Sequence, residues 1–102
     1  MNISDLMKQA QQFQEKLASV QNDLGNQQVT GSAGAGMVTA TLNGRGELLA
    51  LTIEQAIVQP ENTGMLQDLV VAAVNDGLNK AKELGKSEMA RLTGGLNIPG
   101  LV

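Results

Sequence analysis

The side chains of this chain best suited to chemistry are lysines and arginines at helical spacing, and the chemistry is the binding of phosphate groups. The six candidates are Lys8, Lys16, Lys80, Lys82, Lys86 and Arg91. Cations presented along a helix neutralise the phosphates of a nucleic-acid backbone and release its counterions. Three of them also follow an acid by three or four residues, which is typical of a solvated helix face. These pairs are Asp76–Lys80, Glu83–Lys86 and Glu88–Arg91. Phosphate contact and ordinary surface ion pairing are therefore both open.

The charge is distributed unevenly along a chain whose net charge is −3. Residues 1–26 carry two lysines against three acids, and residues 27–76 carry Arg45 against five acids. Residues 77–102 carry four cations against two acids. A polyanion would meet this last segment most favourably, whereas the acidic total counts against nucleic-acid binding.

The composition excludes several classes of function. The chain has no histidine and no cysteine, so the commonest general base, the commonest metal ligands and disulfides are all missing. The glycine-rich segment 31–36 lacks the Gly-Lys-Ser/Thr ending of a phosphate loop and precedes a predicted strand, so we expect a bulged, tightly packed strand instead. Phe13 is the only aromatic residue, which argues against stacking on single-stranded bases. We expect no enzyme, catalytic residue, cofactor, metal site or small-molecule substrate.

The sequence also predicts a cytoplasmic protein. Residues 1–5 lack the basic start and apolar run of a secretion signal. No segment approaches the roughly 20 apolar residues that span a bilayer, so no membrane association is expected.

An unbroken apolar heptad predicts a first long helix. Its members are Ile3, Leu6, Ala10, Phe13, Leu17, Val20 and Leu24. A seam with this 3-4 spacing requires a facing helix, from the same chain or from a second subunit. We favour the second subunit, with a dimer interface at Leu6, Phe13, Leu17, Val20 and Leu24. Gly25-Asn26 is expected to end the helix in a left-handed conformation.

Alternating apolar residues predict a three-stranded antiparallel meander after this helix. The first strand is interrupted by glycines, the second covers 37–42, and the third covers 47–54. Asn43-Gly44-Arg45-Gly46 is a hairpin turn signal between the last two. On the third strand we expect inward-facing side chains at Leu49, Leu51 and Ile53.

A second long helix is predicted from a cap at Thr63 to about Leu92. Its thirty residues would span about 45 Å, whereas a compact domain of this size has a diameter of about 34 Å. The helix must project from the domain or be covered by a second subunit. A twofold dimer would accommodate the length of both helices. The expected organisation is one α-β-β-β-α domain, 1–92, and a flexible C-terminal tail, 93–102.

The order of these parts resembles the YbaB/EbfC family of bacterial nucleoid-associated proteins. The matching segments are 7–16 in the first helix, 29–31, 34–38 and 42–44 in the strands, 68–76 in the second helix, and Thr93-Gly94-Gly95-Leu96. The resemblance implies an α+β homodimer shaped like tweezers, whose projecting helices contact double-stranded DNA with little sequence preference. It also implies a place in the nucleoid and a role in nucleoid organisation or gene expression.

One alternative function comes from a different class. The chain would then be a protein–protein adaptor without direct DNA contact, linked to DNA repair or recombination. The heptad helix or the tail segment 96–99 would recruit the partner protein. The acidic middle of the chain favours this alternative.

Overall fold

The chain folds as an α+β protein in which a three-stranded sheet lies between two long helices in sequence. The computed structural model describes residues 2–94. The elements are α1 (Ile3–Gly25), β1 (Gln28–Ala33), β2 (Val38–Asn43), β3 (Leu48–Ile53) and α2 (Thr63–Leu92), with short 3-10 helices at Gln55–Ile57 and Pro60–Asn62. The predicted class and order of elements are confirmed. The 1–92 domain stays a prediction, and the predicted tail lies outside the described residues beyond Gly94.

Helix α1 begins at a side-chain cap and ends against the sheet. The Asn2 side-chain oxygen accepts a hydrogen bond from the Asp5 backbone N–H at 2.8 Å. At the other end, the Leu24 carbonyl oxygen accepts a hydrogen bond from the Gly44 N–H at 2.8 Å. The predicted left-handed terminator is wrong, because Asn26 has right-handed helical backbone angles. The N–H of Gly44 in the turn and the N–H groups of Asn26 and Gln27 satisfy the carbonyl groups of Leu24 and Asp23, so no left-handed cap is needed.

The core lies between the central strand and α2. The strand order β1-β2-β3 is antiparallel throughout, which confirms the predicted meander. Val38, Ala40 and Leu42 alternate along β2 and are completely buried. They pack with Ala73 of α2 and with Ile57. Burying each of the larger aliphatic side chains contributes about 1.5 to 3 kcal/mol.

The turn between β2 and β3 is organised by one buried side chain, Asn43. Its side-chain oxygen accepts hydrogen bonds from the backbone N–H groups of Arg45 and Glu47, both at 3.0 Å. Its amide nitrogen donates to the Glu47 carboxylate at 2.7 Å. Gly46 completes the turn at φ +87°, which glycine adopts without steric cost. The predicted hairpin turn is therefore confirmed.

The third strand is less covered than its alternation predicts. The register places Ile53 opposite Val38 and Leu51 opposite Ala40, so these side chains face the α2 side of the sheet. However, α2 packs on β1 and β2, and Leu51 remains 39% exposed. A bulge removes Leu49 from the alternation and leaves it 52% exposed. The prediction that Leu49 faces inward is wrong because of this bulge. Leu51 has the predicted orientation but is only partly covered, because α2 does not reach across the whole sheet.

The helix and the sheet approach each other most closely at Gly31 of β1. A Cβ atom there would overlap the Ala73 carbonyl oxygen and the Gly77 backbone nitrogen. A Cβ atom on Gly77 would overlap the Leu42 side chain. These two glycines therefore allow the backbones of β1 and α2 to touch. By contrast, a Cβ atom on Gly85 would meet nothing within 4 Å.

The glycine-rich segment divides into a strand and a turn. Gly31 belongs to β1, which pairs with β2 in regular register. Gly34, Ala35 and Gly36 form the following turn, all with positive φ. The expected tight packing is confirmed, but the expected bulge is wrong for β1, because the irregularity lies between β2 and β3.

The molecule is elongated, with extents of 69 × 23 × 16 Å. The first half of α2 covers the sheet, where Leu66, Val70 and Val74 pack on the core. The second half continues past the sheet beside α1. We call α1 together with residues 81–92 of α2 the arm. None of the helices within residues 2–94 combines the length and apolarity that crossing a membrane requires.

Replacing Gly31 with alanine should destabilise the fold. The added methyl group meets backbone atoms of α2, so β1 and the helix must separate, at a cost of about 1 to 3 kcal/mol. Gly85→Ala is the matched control. It fills open space in a helix and should raise the free energy of unfolding by about 0.5 to 1 kcal/mol. Urea unfolding checks both values, and equal effects of the same sign would contradict the packing described.

Candidate nucleic-acid interface

The candidate cations are carried mainly by the arm. Within it, the less exposed residues of α2 recur every three or four positions, at Ala81, Leu84, Gly85, Glu88, Met89 and Leu92. On α1, Leu24 is only 3% exposed and Leu17 and Val20 are half-buried. This part of the heptad seam therefore packs against α2 of the same chain.

The four cations of α2 lie on two opposite sides of the second half of this helix. At about 100° per residue, Lys82 and Lys86 are about 40° apart on one side. We call this side the Lys82 flank. Lys80 and Arg91 are about 20° apart on the other side, which we call the Lys80 flank. Helical geometry thus places the two pairs of candidate cations on opposite sides of α2.

Two of these cations make ion pairs within α2. Lys86 lies 3.6 Å from the Glu83 carboxylate, and both side chains are exposed, so the pair contributes at most about 1 kcal/mol and a phosphate can replace it. Arg91 lies 3.1 Å from the carboxylate of Glu88, whose side chain is only 18% exposed. Within residues 2–94 the structure assigns no ion pair to Lys82, which is also exposed. Lys82 is therefore the α2 cation most available to an anion.

Lys80 has a structural role at the sheet edge. Its ammonium donates a hydrogen bond to the Thr30 carbonyl oxygen at 2.8 Å and lies 3.3 Å from Asp76. Asp76 in turn accepts a hydrogen bond from the Ser32 N–H at 3.0 Å. Together the two side chains satisfy outward-facing backbone groups of the edge strand β1. They block this edge against pairing with another strand.

The same contacts lower the pKa of Asp76. The hydrogen bond from the Ser32 backbone is the largest cause, and Lys80 adds a side-chain hydrogen bond and its positive charge. Both interactions favour the ionised carboxylate. Asp76 therefore stays charged to more acidic pH than an ordinary aspartate.

The two lysines of α1 do not join either flank as a cluster. Lys8 and Lys16 are both exposed, and helical geometry places them about 80° apart around α1. Lys8 lies nearly opposite the heptad seam. The structure therefore provides several separate cationic points along the arm.

Arg45 is a cation that the sequence prediction left out of the set. It lies in the turn between β2 and β3, and its Nε donates to the Glu47 carboxylate at 3.1 Å. Its guanidinium lies over Gly25 at the end of α1, and it lines one open cleft together with Lys82. The turn motif is the sequence signal that could have indicated Arg45. A hairpin turn that is hydrogen-bonded to the end of α1 places its central residue at the base of the arm.

The residues of the predicted dimer interface differ in their exposure. Leu24 is buried within its own chain, while Leu6 and Phe13 near the start of α1 are 51% and 38% exposed. A second set of exposed apolar residues comprises Leu48 and Leu51 of β3 and Val71 of α2, which are 50%, 39% and 59% exposed.

Within residues 2–94 no three acidic side chains are grouped so that they could hold a metal ion. The exposed cations of the two helices can bind anions.

Comparisons with known proteins agree with this geometry. Residues 1–96 match the sequence model of the YbaB/EbfC DNA-binding family. The chain is 54% identical to the nucleoid-associated protein DP1429 of Desulfotalea psychrophila, over 99% of this chain and 95% of the relative. It is 50% identical to a nucleoid-associated protein of Syntrophobacter fumaroxidans, over 93% of this chain and 86% of the relative. The crystal structure of an uncharacterized protein, HP0035, from Helicobacter pylori superposes with a TM-score of 0.83 at 26% identity, covering 92% and 99% of the two chains.

Asp76→Asn should make stability less sensitive to acid. A carboxyl group whose pKa is lowered by folding stabilises the protein above its unfolded pKa, about 3.9, and this stabilisation is lost as pH falls through the folded pKa. The wild type should therefore lose stability below about pH 4 more steeply than the variant. Asp68→Asn, at an exposed position of the same helix, controls for the loss of one negative charge. Thermal unfolding at several pH values checks this prediction. Melting temperatures of the wild type and Asp76→Asn that fall equally as the pH is lowered would contradict the role given to Asp76.

Proposed function

Because the chain belongs to the YbaB/EbfC DNA-binding family, we propose that it is a nucleoid-associated homodimer that binds double-stranded DNA through its arms. The DNA-binding residues of this proposal are Lys82 and Lys86 first, with Lys8, Lys16 and Arg91 contributing. Lys80 is the weakest candidate, because its ammonium already bonds β1. The protein would act at the nucleoid in the bacterial cytoplasm, affecting nucleoid organisation or gene expression. The proposal includes no catalytic step.

The observation that carries this proposal is the group of exposed cations along the arm. Six of the seven Lys and Arg residues lie on the two long helices, and the four of α2 lie in its second half. The arm also carries five acids against its five cations, so a surface favourable to phosphates is local, at the exposed Lys82 flank. A net charge of −3 can coexist with such a local surface. Binding would be driven by the release of counterions from the duplex.

Little sequence preference is expected from this kind of contact. Lysine is a flexible point charge, and contacts to phosphate oxygens position a protein without reading base edges. Two arms related by twofold symmetry would double the number of phosphate contacts on one duplex.

The apolar surface beside β3 supports the homodimer. Leu48 and Leu51 lie on the α2 side of the sheet, where α2 does not cover them. Val71 is exposed on α2. Exposed apolar residues concentrated at one site are typical of an interface. We propose that a second copy covers this surface, which we call the β3 surface.

The edges of the sheet favour the same assignment. The outer edge of β1 is occupied by side chains of α2, as described above, so β3 is the edge left for a second subunit. A twofold contact at β3 keeps both arms outside the interface. The exposed members of the heptad seam, Leu6 and Phe13, are the competing interface.

Affinity for duplex DNA should fall steeply with salt. For about four to six phosphate contacts, the association constant should drop by roughly 10² to 10³ between 50 and 200 mM salt. Lys82→Glu combined with Lys86→Glu should weaken binding further while leaving the dimer intact. A gel-shift titration checks both. Failure to bind at low salt would favour the adaptor alternative, and salt-independent binding would refute the electrostatic mechanism.

Leu51→Asp should convert the dimer into a monomer. A buried, unpaired carboxylate at the centre of an apolar interface opposes association. Leu6→Asp is the matched control, because it makes the same change in charge on the competing seam. Sedimentation equilibrium should give a 10.6 kDa particle for the first variant and a dimer for the second. The opposite pattern would place the interface on α1.

A further inference from the structure

An open cleft lies at the base of the arm, where the β2–β3 turn meets both helices. Its volume is about 300 Å³, and its polar lining comes from Gln21, Arg45 and Lys82. Gly44, Gly46 and Gly85 also line it, so no side chain from these three positions fills the space. Leu24, Leu78 and Ala81 supply its apolar lining, so the cleft is an accessible, largely apolar recess with two cations in its lining.

Arg45 is held in place at this cleft before any ligand binds. Asn43 fixes the backbone of Arg45 and also hydrogen-bonds the Glu47 carboxylate that pairs with the guanidinium. The guanidinium packs over Gly25, where even a Cβ atom would lie 2.6 Å from its terminal nitrogen. Within residues 2–94 its hydrogen bond uses Nε, which leaves both terminal nitrogens as donors. A guanidinium in this state can bind two oxygens of one phosphate.

The cleft continues into the Lys82 flank of the arm. Lys86 lies one helical turn beyond Lys82 on the same side. The α1 residues that helical geometry places on this side, Gln14, Ala18 and Gln21, carry no charge. On the Lys82 flank only Lys86 has an ion pair, with Glu83, whereas both cations of the Lys80 flank are paired, with Asp76 and Glu88. The Lys82 flank is thus the more positive side of the arm.

We propose that the cleft at the arm base is a phosphate site, in which Arg45 and Lys82 together bind one backbone phosphate of duplex DNA. Lys86 continues the contact to a neighbouring phosphate. This inference rests on the proposed DNA-binding function and extends its site beyond the helices. Arg45 anchors the duplex at the root of the arm, whereas the lysines of the arm follow its backbone.

Glu47 weakens this site by competing for Arg45. Its carboxylate lies 3.1 Å from the guanidinium Nε, and hydrogen bonding from Asn43 and the charge of Arg45 lower its pKa. It therefore stays ionised near neutral pH and opposes an incoming phosphate. Removing its charge while keeping its oxygen should strengthen DNA binding, which a purely structural role of Arg45 would not predict.

The test measures fluorescence anisotropy of a short duplex at several salt concentrations. Arg45→Gln should weaken binding about fivefold to tenfold per lost contact at 100 mM salt and reduce the salt slope by about 0.9 per contact. Arg45→Lys should lie between this variant and the wild type. Glu47→Gln should tighten binding several-fold, whereas Glu61→Gln, which changes the net charge equally at an exposed site before α2, should have little effect.

The outcomes separate this inference from the proposed function. If the unmodified protein does not bind duplex DNA, both are overturned. If it binds, but Arg45→Gln has the wild-type affinity and salt slope, the phosphate site alone is overturned. Equal effects of Glu47→Gln and Glu61→Gln would also overturn it, because they would reflect net charge only. Unfolding curves confirm that each variant is folded.

Discussion

The close contact between the backbones of β1 and α2 determines the rest of this structure. Gly31 and Gly77 remove the side chains that would hold the strand and the helix apart. The helix therefore lies over β1 and β2, where Asp76 and Lys80 secure the strand edge. This placement leaves β3 uncovered and directs the second half of α2 past the sheet. The arm and the exposed β3 surface therefore both follow from the packing of α2 on β1 and β2.

The electrostatics follow from the same placement. An acidic chain can present a positive surface where some of its cations lie apart from its acids. The long helices carry the lysines away from the acid-rich middle of the chain, but the arm also carries five acids against its five cations, so the separation is only local. The exposed pair of Lys86 with Glu83 is one that a phosphate can replace at small cost. The position of each cation along the arm therefore matters more than the net charge.

The sequence predicts the local structure well because local signals determine it. Alternation along the strands and the Asn43 turn motif predict the meander, and the heptad predicts α1. The coverage of Leu51 could not be predicted, because it depends on which strands α2 crosses. The surroundings of Lys80 and Arg45 could not be predicted for a similar reason. Each is defined by a partner distant in sequence, Thr30 for the first and the end of α1 for the second.

The central claim is that the half of α2 beyond the sheet, with the turn at its base, forms the surface that meets DNA. Amide chemical shifts of isotope-labelled protein, followed during titration with a short duplex, test this most directly. The account predicts that shifts change along residues 81–92 and at the turn 43–46, while the amides of β3 stay unchanged. Changes confined to β3 and the first half of α2, with the arm unaffected, would contradict it.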